Sequence, residues 1–146
     1  MKLFSEDGDW DMTTIVLADD HKIVRQGVRA LLEYEPDFDI IGEAGSGTEA
    51  LSMLETTIPD ILVTDLSMPG LNGIELANEI RKRKWPTKVI ILSMHGDEPY
   101  VVRAMASGAS GYILKESGVE HTVNAIREAL AGGRYVSPPL VMPSIN

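Results

Sequence analysis

Cysteine is absent from the chain, which excludes disulfides and any thiolate metal site and suits a reducing compartment. Long apolar runs are missing too. None approaches the ~18 residues needed to cross a bilayer, so no membrane contact is expected. Basic residues are few: 13 Lys and Arg stand against 22 Asp and Glu, a formal net charge of −9. A field of that sign repels nucleic acid and favours a cation or a basic partner. Residues 1–13 carry Glu6, Asp7, Asp9 and Asp11 and no apolar stretch, so they read as an N-terminal extension and not as a secretory signal. These gaps point to a cytoplasmic protein.

The remaining composition is that of an ordinary globular chain, 44 % hydrophobic and 24 % charged over 146 residues. A domain of this size buries roughly 68–70 % of its unfolded surface, enough for one core. Five short apolar runs recur: Ile15–Ala18, Phe38–Ile41, Ile61–Val63, Val89–Leu92 and Tyr112–Leu114. Four are continuous, as in strands covered on both faces of a parallel sheet. The run at Phe38 is mixed and reads as an edge.

Helical patterns separate the runs. From Lys22 to Glu33 the set Ile23, Val24, Gly27, Val28, Leu31 and Leu32 forms an apolar stripe, with Lys22, Arg25, Gln26 and Arg29 on the other side. Ser46 and Glu49 resemble a capping box before Ala50, Leu51 and Leu54. Ile74, Ala77 and Ile80 mark a third helix, and Pro99 and Gly108 bound a fourth. Ser117 is placed to cap a fifth, with Val119, Val123, Ile126 and Leu130 inward and Gly132 past its end. Alternating β and α segments predict an α/β fold with right-handed crossovers, a flavodoxin-like (βα)5 doubly wound parallel sheet of order 2-1-3-4-5. Residues 134–146 hold Pro138, Pro139 and Pro143 and read as a linker or tail.

In open α/β sheets, sites form at the carboxyl ends of the strands. Here strand one ends in Asp19-Asp20, strand three in Thr64-Asp65 and strand four in Ser93, and Lys115 follows strand five. Strands one and three are neighbours in the expected order, so three carboxylates converge. At ~4 Å and an effective dielectric near 20, each like-charged pair repels by ~4 kcal/mol. The cluster calls for a cation, and oxygen ligands without cysteine point to a hard one such as Mg2+. Ser93 and Lys115 supply a hydroxyl and an ammonium for the charge of a transferring phosphoryl group, and one carboxylate would be its nucleophile. Singly, each residue has a plainer use: Asp19 or Asp20 as a helix cap, Asp65 as a turn residue before Pro69-Gly70, Ser93 and Lys115 as solvated groups. Their coincidence at the right strand ends is what carries the reading.

Those stretches resemble the receiver domain of two-component response regulators across residues 14–133. The matching residues are Val16–His21 (VLADDH), Asp60–Gly73 (DILVTDLSMPGLNG), Val89–Ser93 (VIILS) and Gly108–Lys115 (GASGYILK). Asp20-His21 and the run ending Gly132-Gly133-Arg134-Tyr135 are most similar to the NarL/FixJ subfamily, whose members usually carry a LuxR-type helix-turn-helix after a linker. The resemblance implies that Asp65 accepts a phosphoryl group from a phosphohistidine on a sensor histidine kinase. It implies Asp20 and Asp65 as direct Mg2+ ligands, Asp19 as a ligand through water and Ser67 as donor of a backbone carbonyl. Ser93 matches the switch hydroxyl, Lys115 the lysine of the site and Tyr112 the switch aromatic. Ser67 and His95 match positions flanking the path of hydrolytic water. The implied protein is a phosphoprotein switch, not an enzyme beyond its own phosphorylation and dephosphorylation, with homodimerisation on phosphorylation as an option. It would control transcription through a C-terminal helix-turn-helix that this chain does not contain, without binding DNA itself.

Two features depart from the family pattern. Glu116 stands where a proline often follows the lysine, so the peptide before it is left open with trans as the default. No helix-turn-helix pattern appears before Asn146, which leaves a single-domain regulator as the alternative. A flavin carrier of the same fold would need an amide-rich phosphate loop after strand one, where two acids stand. A phosphatase of the haloacid-dehalogenase type would need a second Asp where Ser67 stands. A degenerate receiver would be expected to lack one of the acids or the lysine.

Overall fold

The computed structural model describes residues 11–144. Most of the expected N-terminal extension, residues 1–10, therefore lies outside the described residues. Thirteen elements follow one another: β1 (Thr13–Ala18), α1 (Lys22–Glu33), β2 (Phe38–Ala44), α2 (Gly47–Thr57), β3 (Ile61–Asp65), α3 (Gly73–Lys82), β4 (Lys88–Ser93), α4 (Glu98–Ala106), β5 (Gly111–Leu114), α5 (Lys115–Gly118), a 3-10 turn (Val119–His121), α6 (Thr122–Leu130) and β6 (Tyr135–Val136). The sheet is parallel throughout, in the order β2-β1-β3-β4-β5-β6. The expected 2-1-3-4-5 order holds, with one strand added.

Alternation along the strands divides the core into two layers. Val16, Ala18, Leu62, Val89 and Ile91 face α2, α3 and α4, meeting Leu54, Ile80 and Met105. Ile15, Leu17, Ile61, Val63, Ile90 and Leu92 face the other way, onto Val28 and Leu32 of α1 and Ile126 and Ala129 of α6. Both faces being apolar is why these strands read as unbroken hydrophobic runs. Among the described residues, no helix is long and apolar enough to cross a membrane.

Local chemistry sets the element ends. The Ser46 hydroxyl accepts from Glu49 N–H, as expected. Asn72 and Glu75 form a reciprocal capping box at α3. Pro99 sits in the first turn of α4, and Gly108 follows it with φ +102°, a conformation that suits glycine.

Four details differ from the sequence-based expectation. β2 runs on to Ala44, with a register shift opposite Ile15/Val16. Ile23 of the α1 stripe is 84 % exposed, so only the part of that stripe nearer the sheet is core. The fifth crossover does not start as one helix capped by Ser117. Residue 117 lies inside the one-turn α5, and the main helix begins after a 3-10 turn. Finally, part of the expected tail continues the sheet: Tyr135 and Val136 pair with Gly111 and Tyr112.

Candidate functional site

β1 and β3 are paired up to Ala18 and Thr64, so the residues that follow, Asp19 just past β1 and Asp65 at the end of β3, lie side by side at the carboxyl edge of the sheet. Both are buried, at 3 % and 4 % exposure. β5 ends at Leu114, and the turn into α5 brings Lys115 between them. Its Nζ lies 3.1 Å from Asp19 Oδ2 and 3.0 Å from Asp65 Oδ2. Asp20 is more open. Ligand atoms of Asp19, Asp20, His21 and Asp65 all lie within 4.8 Å of one another.

The turn that carries Asp19 is held by hydrogen bonds. Asp19 Oδ1 accepts the His21 N–H at 2.8 Å, and Asp65 Oδ1 accepts the Ser67 N–H at 3.3 Å. The loop after Asp65 is braced by α2, with Gly47 N–H donating to Pro69 O at 2.9 Å. A Cβ at residue 47 would fall 1.7 Å from the Leu71 carbonyl oxygen, so only glycine permits this approach.

Electrostatics in the cluster are unbalanced. Burial pushes the Asp65 carboxyl above its usual value of 3.8; Lys115 pulls it back in part, and the Asp19 charge adds to the rise. Burial also works against the Lys115 ammonium, but the hydrogen bond to Asp65 and the charges of Asp65 and Asp19 outweigh it and hold its pKa above the ordinary 10.5. One ammonium thus serves two buried carboxylates, with a third beside them. Asp19 Oδ2 is buried without a well-aligned hydrogen bond, although Lys115 Nζ is close. We read that contact as charge pairing that leaves a lone pair open, because attraction needs only distance while a hydrogen bond needs direction. The three carboxylates of the cluster, with a lone pair of Asp19 Oδ2 left open, fit a hard divalent cation.

Ser93 and Tyr112 are joined through His95. Ser93 is fully buried, and its Oγ accepts the His95 N–H at 2.9 Å. The Tyr112 hydroxyl donates to the His95 carbonyl at 2.5 Å. Tyr112 is itself fully buried, packed among Val101, Ala104 and Met105, and burial raises its hydroxyl pKa above 10.0. The site residues inferred from sequence thus fall into two groups: Asp19, Asp20, Asp65, Ser67 and Lys115 at the acidic cluster, and Ser93 and Tyr112 along its flank. Pro138-Pro139 is the one cis peptide among the described residues, so the Lys115-Glu116 bond is trans.

Residues 15–127 match the response regulator receiver domain. The chain belongs to the response regulator receiver family. It is 37 % identical over 124 residues to the transcriptional regulatory protein DegU of Brevibacillus brevis, covering 85 % of this chain and 52 % of that protein. It is 36 % identical over 127 residues to the nitrate/nitrite response regulator protein NarL of Escherichia coli strain K12, covering 87 % of this chain and 59 % of that one. Among solved structures, a LuxR-family two-component response regulator from Aurantimonas sp. SI85-9A1 matches with a TM-score of 0.81 and 40 % identity, over 87 % of this chain and 91 % of that one. The receiver domain of NarL from Mycobacterium tuberculosis matches at 0.79 and 32 %, over 84 % and 98 %. The chain therefore spans a little over half the length of the curated relatives it matches.

Two residues of this receiver's site have a part that the sequence reading did not give them. His21 puts Nδ1 3.3 Å from Asp20 Oδ1, 3.4 Å from Asp19 Oδ1 and 3.9 Å from Asp65 Oδ2; its position next to two acids was the available signal. His95 acts through its backbone, bridging Ser93 and Tyr112, while its ring stacks on Tyr100 at 4.2 Å. No side-chain pattern announces a backbone role.

Proposed function

We propose that this receiver is the phosphoacceptor switch of a two-component system, with Asp65 as acceptor. An Asp65 carboxylate oxygen attacks the phosphorus of a phosphohistidine on a sensor histidine kinase. The P–N bond breaks, and its electron pair returns to the donor imidazole. The observation that carries this reading is the buried Asp65 carboxylate, 3.0 Å from Lys115 Nζ and within 4.8 Å of the Asp19 and Asp20 acids.

Asp20 and Asp65 would hold Mg2+ directly, Ser67 by its carbonyl and Asp19 through water. When bound, the ion neutralises charge on the acids and on the phosphoryl oxygens. Lys115 stays charged and pairs with the transferred group, and the Ser93 hydroxyl donates to one of its oxygens. The same Oγ accepts the His95 N–H, so a shift of the hydroxyl toward the phosphoryl oxygen bears on the Ser93–His95–Tyr112 chain and through it on the α4–β5 surface. The output is transcriptional. A Staphylococcus aureus match is a DNA-binding response regulator of the LuxR family, and the curated relatives extend well beyond the span this chain covers. We place DNA binding in such an additional domain, with phosphorylation-dependent homodimerisation as its route of control.

The test is intact-mass analysis after incubation with acetyl phosphate and Mg2+. The wild type gains one phosphoryl mass, and Asp65→Asn gains none while keeping its circular dichroism spectrum. An Asp65→Asn protein phosphorylated at the wild-type rate overturns the assignment.

A further inference from the structure

We propose that Arg25 is a positioning residue for the acidic site, acting through the Asp19–Asp20 turn and not on the phosphoryl group. The inference rests on the phosphoacceptor reading above. By sequence Arg25 belongs to the polar side of α1, with Lys22, Gln26 and Arg29. In the fold its side chain is only 18 % exposed and lies beneath the carboxyl ends of β1 and β2. Nη1 donates to the Asp19 carbonyl at 2.5 Å and to the Ala44 carbonyl at 3.4 Å. Nε donates to Glu43 Oε1 at 2.9 Å, and the other Glu43 oxygen accepts from Arg29 Nη1 at 2.6 Å.

The geometry explains why the turn needs this support. Asp19 N–H to Ala44 O, at 3.0 Å, is the last bond between the two strands. Beyond it the chain leaves the sheet, and its course is set by His21 N–H on the Asp19 side chain and by Arg25 on the Asp19 main chain. The guanidinium ties three acceptors on two segments at once. A planar fork does this, whereas a lysine ammonium on a flexible stem does not hold the same directions. Glu43, gripped by two arginines, fixes the fork in turn. The position of the Asp20 carboxylate, and so its fitness to hold a cation with Asp65, follows from that anchorage. Losing such supporting contacts typically weakens metal affinity by 10–100-fold.

The experiment titrates Mg2+ alone into wild type, Arg25→Met, Arg25→Lys and Glu43→Gln by calorimetry, below the melting temperature of each. The rate of phosphorylation by acetyl phosphate is then followed against Mg2+ concentration. Arg25→Met should weaken Mg2+ binding about tenfold or more. The Mg2+ concentration for half-maximal rate should move with it, while the rate at saturating Mg2+ changes little. Arg25→Lys keeps the charge but not the fork, and should fail to restore affinity; Glu43→Gln should shift it in the same direction by less. Wild-type Mg2+ affinity in folded Arg25→Met, or full rescue by lysine, overturns the positioning role. If Arg25→Met does not fold, Arg25→Lys and Glu43→Gln decide. A wild type that neither binds Mg2+ nor gains a phosphoryl mass overturns the underlying phosphoacceptor reading instead, so the two failures are distinct.

Discussion

Asp19 and Asp65 share one ammonium, and the balance of the site turns on it. Lys115 is 8 % exposed and within 3.1 Å of both carboxylates, so replacing it by methionine leaves two buried acids facing each other. Removing one partner of a buried pair is strongly destabilising, by about 3–5 kcal/mol. Lys115→Met should lose stability of that order in urea unfolding with chelator present. Millimolar Mg2+ should return more to this variant than it adds to the wild type, because ligand bound to the native state stabilises by mass action and here also supplies the missing positive charge. Equal stability of variant and wild type in chelator would show that Lys115 does not carry the countercharge. These residues were legible in sequence because each interrupts an apolar run where a strand ends. Arg25 was not. An arginine on the polar side of a helix has the same pattern whether it meets water or a neighbouring turn, and only the tertiary fold decides between them.

At the scale of elements, the strand that carries Tyr112 is also the one onto which the chain's exit is fastened. Ser137 is fully buried. Its N–H donates to the Tyr112 carbonyl at 3.0 Å, and its Oγ accepts from Leu114 N–H at 2.9 Å. A Cβ at Gly118 would lie 2.7 Å from that Oγ, so glycine is needed there for α5 to pass. Ser137→Ala strands the Leu114 N–H without an acceptor, at a cost of about 1–3 kcal/mol. Urea unfolding should register that loss, and amide exchange at Leu114 should quicken. Wild-type protection at Leu114 would mean that the hydroxyl is dispensable. This region is where the sequence reading was least complete. β1 to β5 were legible from their apolar runs, and α1 to α4 from stripes, caps and the Pro99 and Gly108 boundaries. β6 is two residues long and owes its extended pairing to the open edge of β5, which no local pattern encodes, and the prolines after it read as a linker. The broken start of the fifth crossover has the same origin, since Gly118 is fitted to a residue 19 positions on.

For the molecule as a whole, the charge distribution predicts that this 146-residue chain does not bind duplex DNA. Affinity for DNA rests largely on neutralised phosphates, so a binder shows a clustered basic face. Here 22 acids oppose 13 bases, and three of the acids converge at the functional end of the sheet. The densest basic run, Arg81-Lys82-Arg83-Lys84, closes α3, where cations complement the negative end of the helix dipole. Two of the four are already engaged. Arg81 donates to the Ala106 carbonyl and to Asn78 Oδ1. Arg83 pairs with Glu79 and Glu55 and lies 5.0 Å over the Trp85 ring. That leaves Lys82 and Lys84 to meet a polyanion against the field of the whole domain. An anisotropy titration with mixed-sequence duplex at low salt should show no saturable binding up to about 100 µM, the weak end of non-specific affinity, with or without acetyl phosphate. Salt-sensitive binding in the micromolar range would show that the receiver itself carries part of the output.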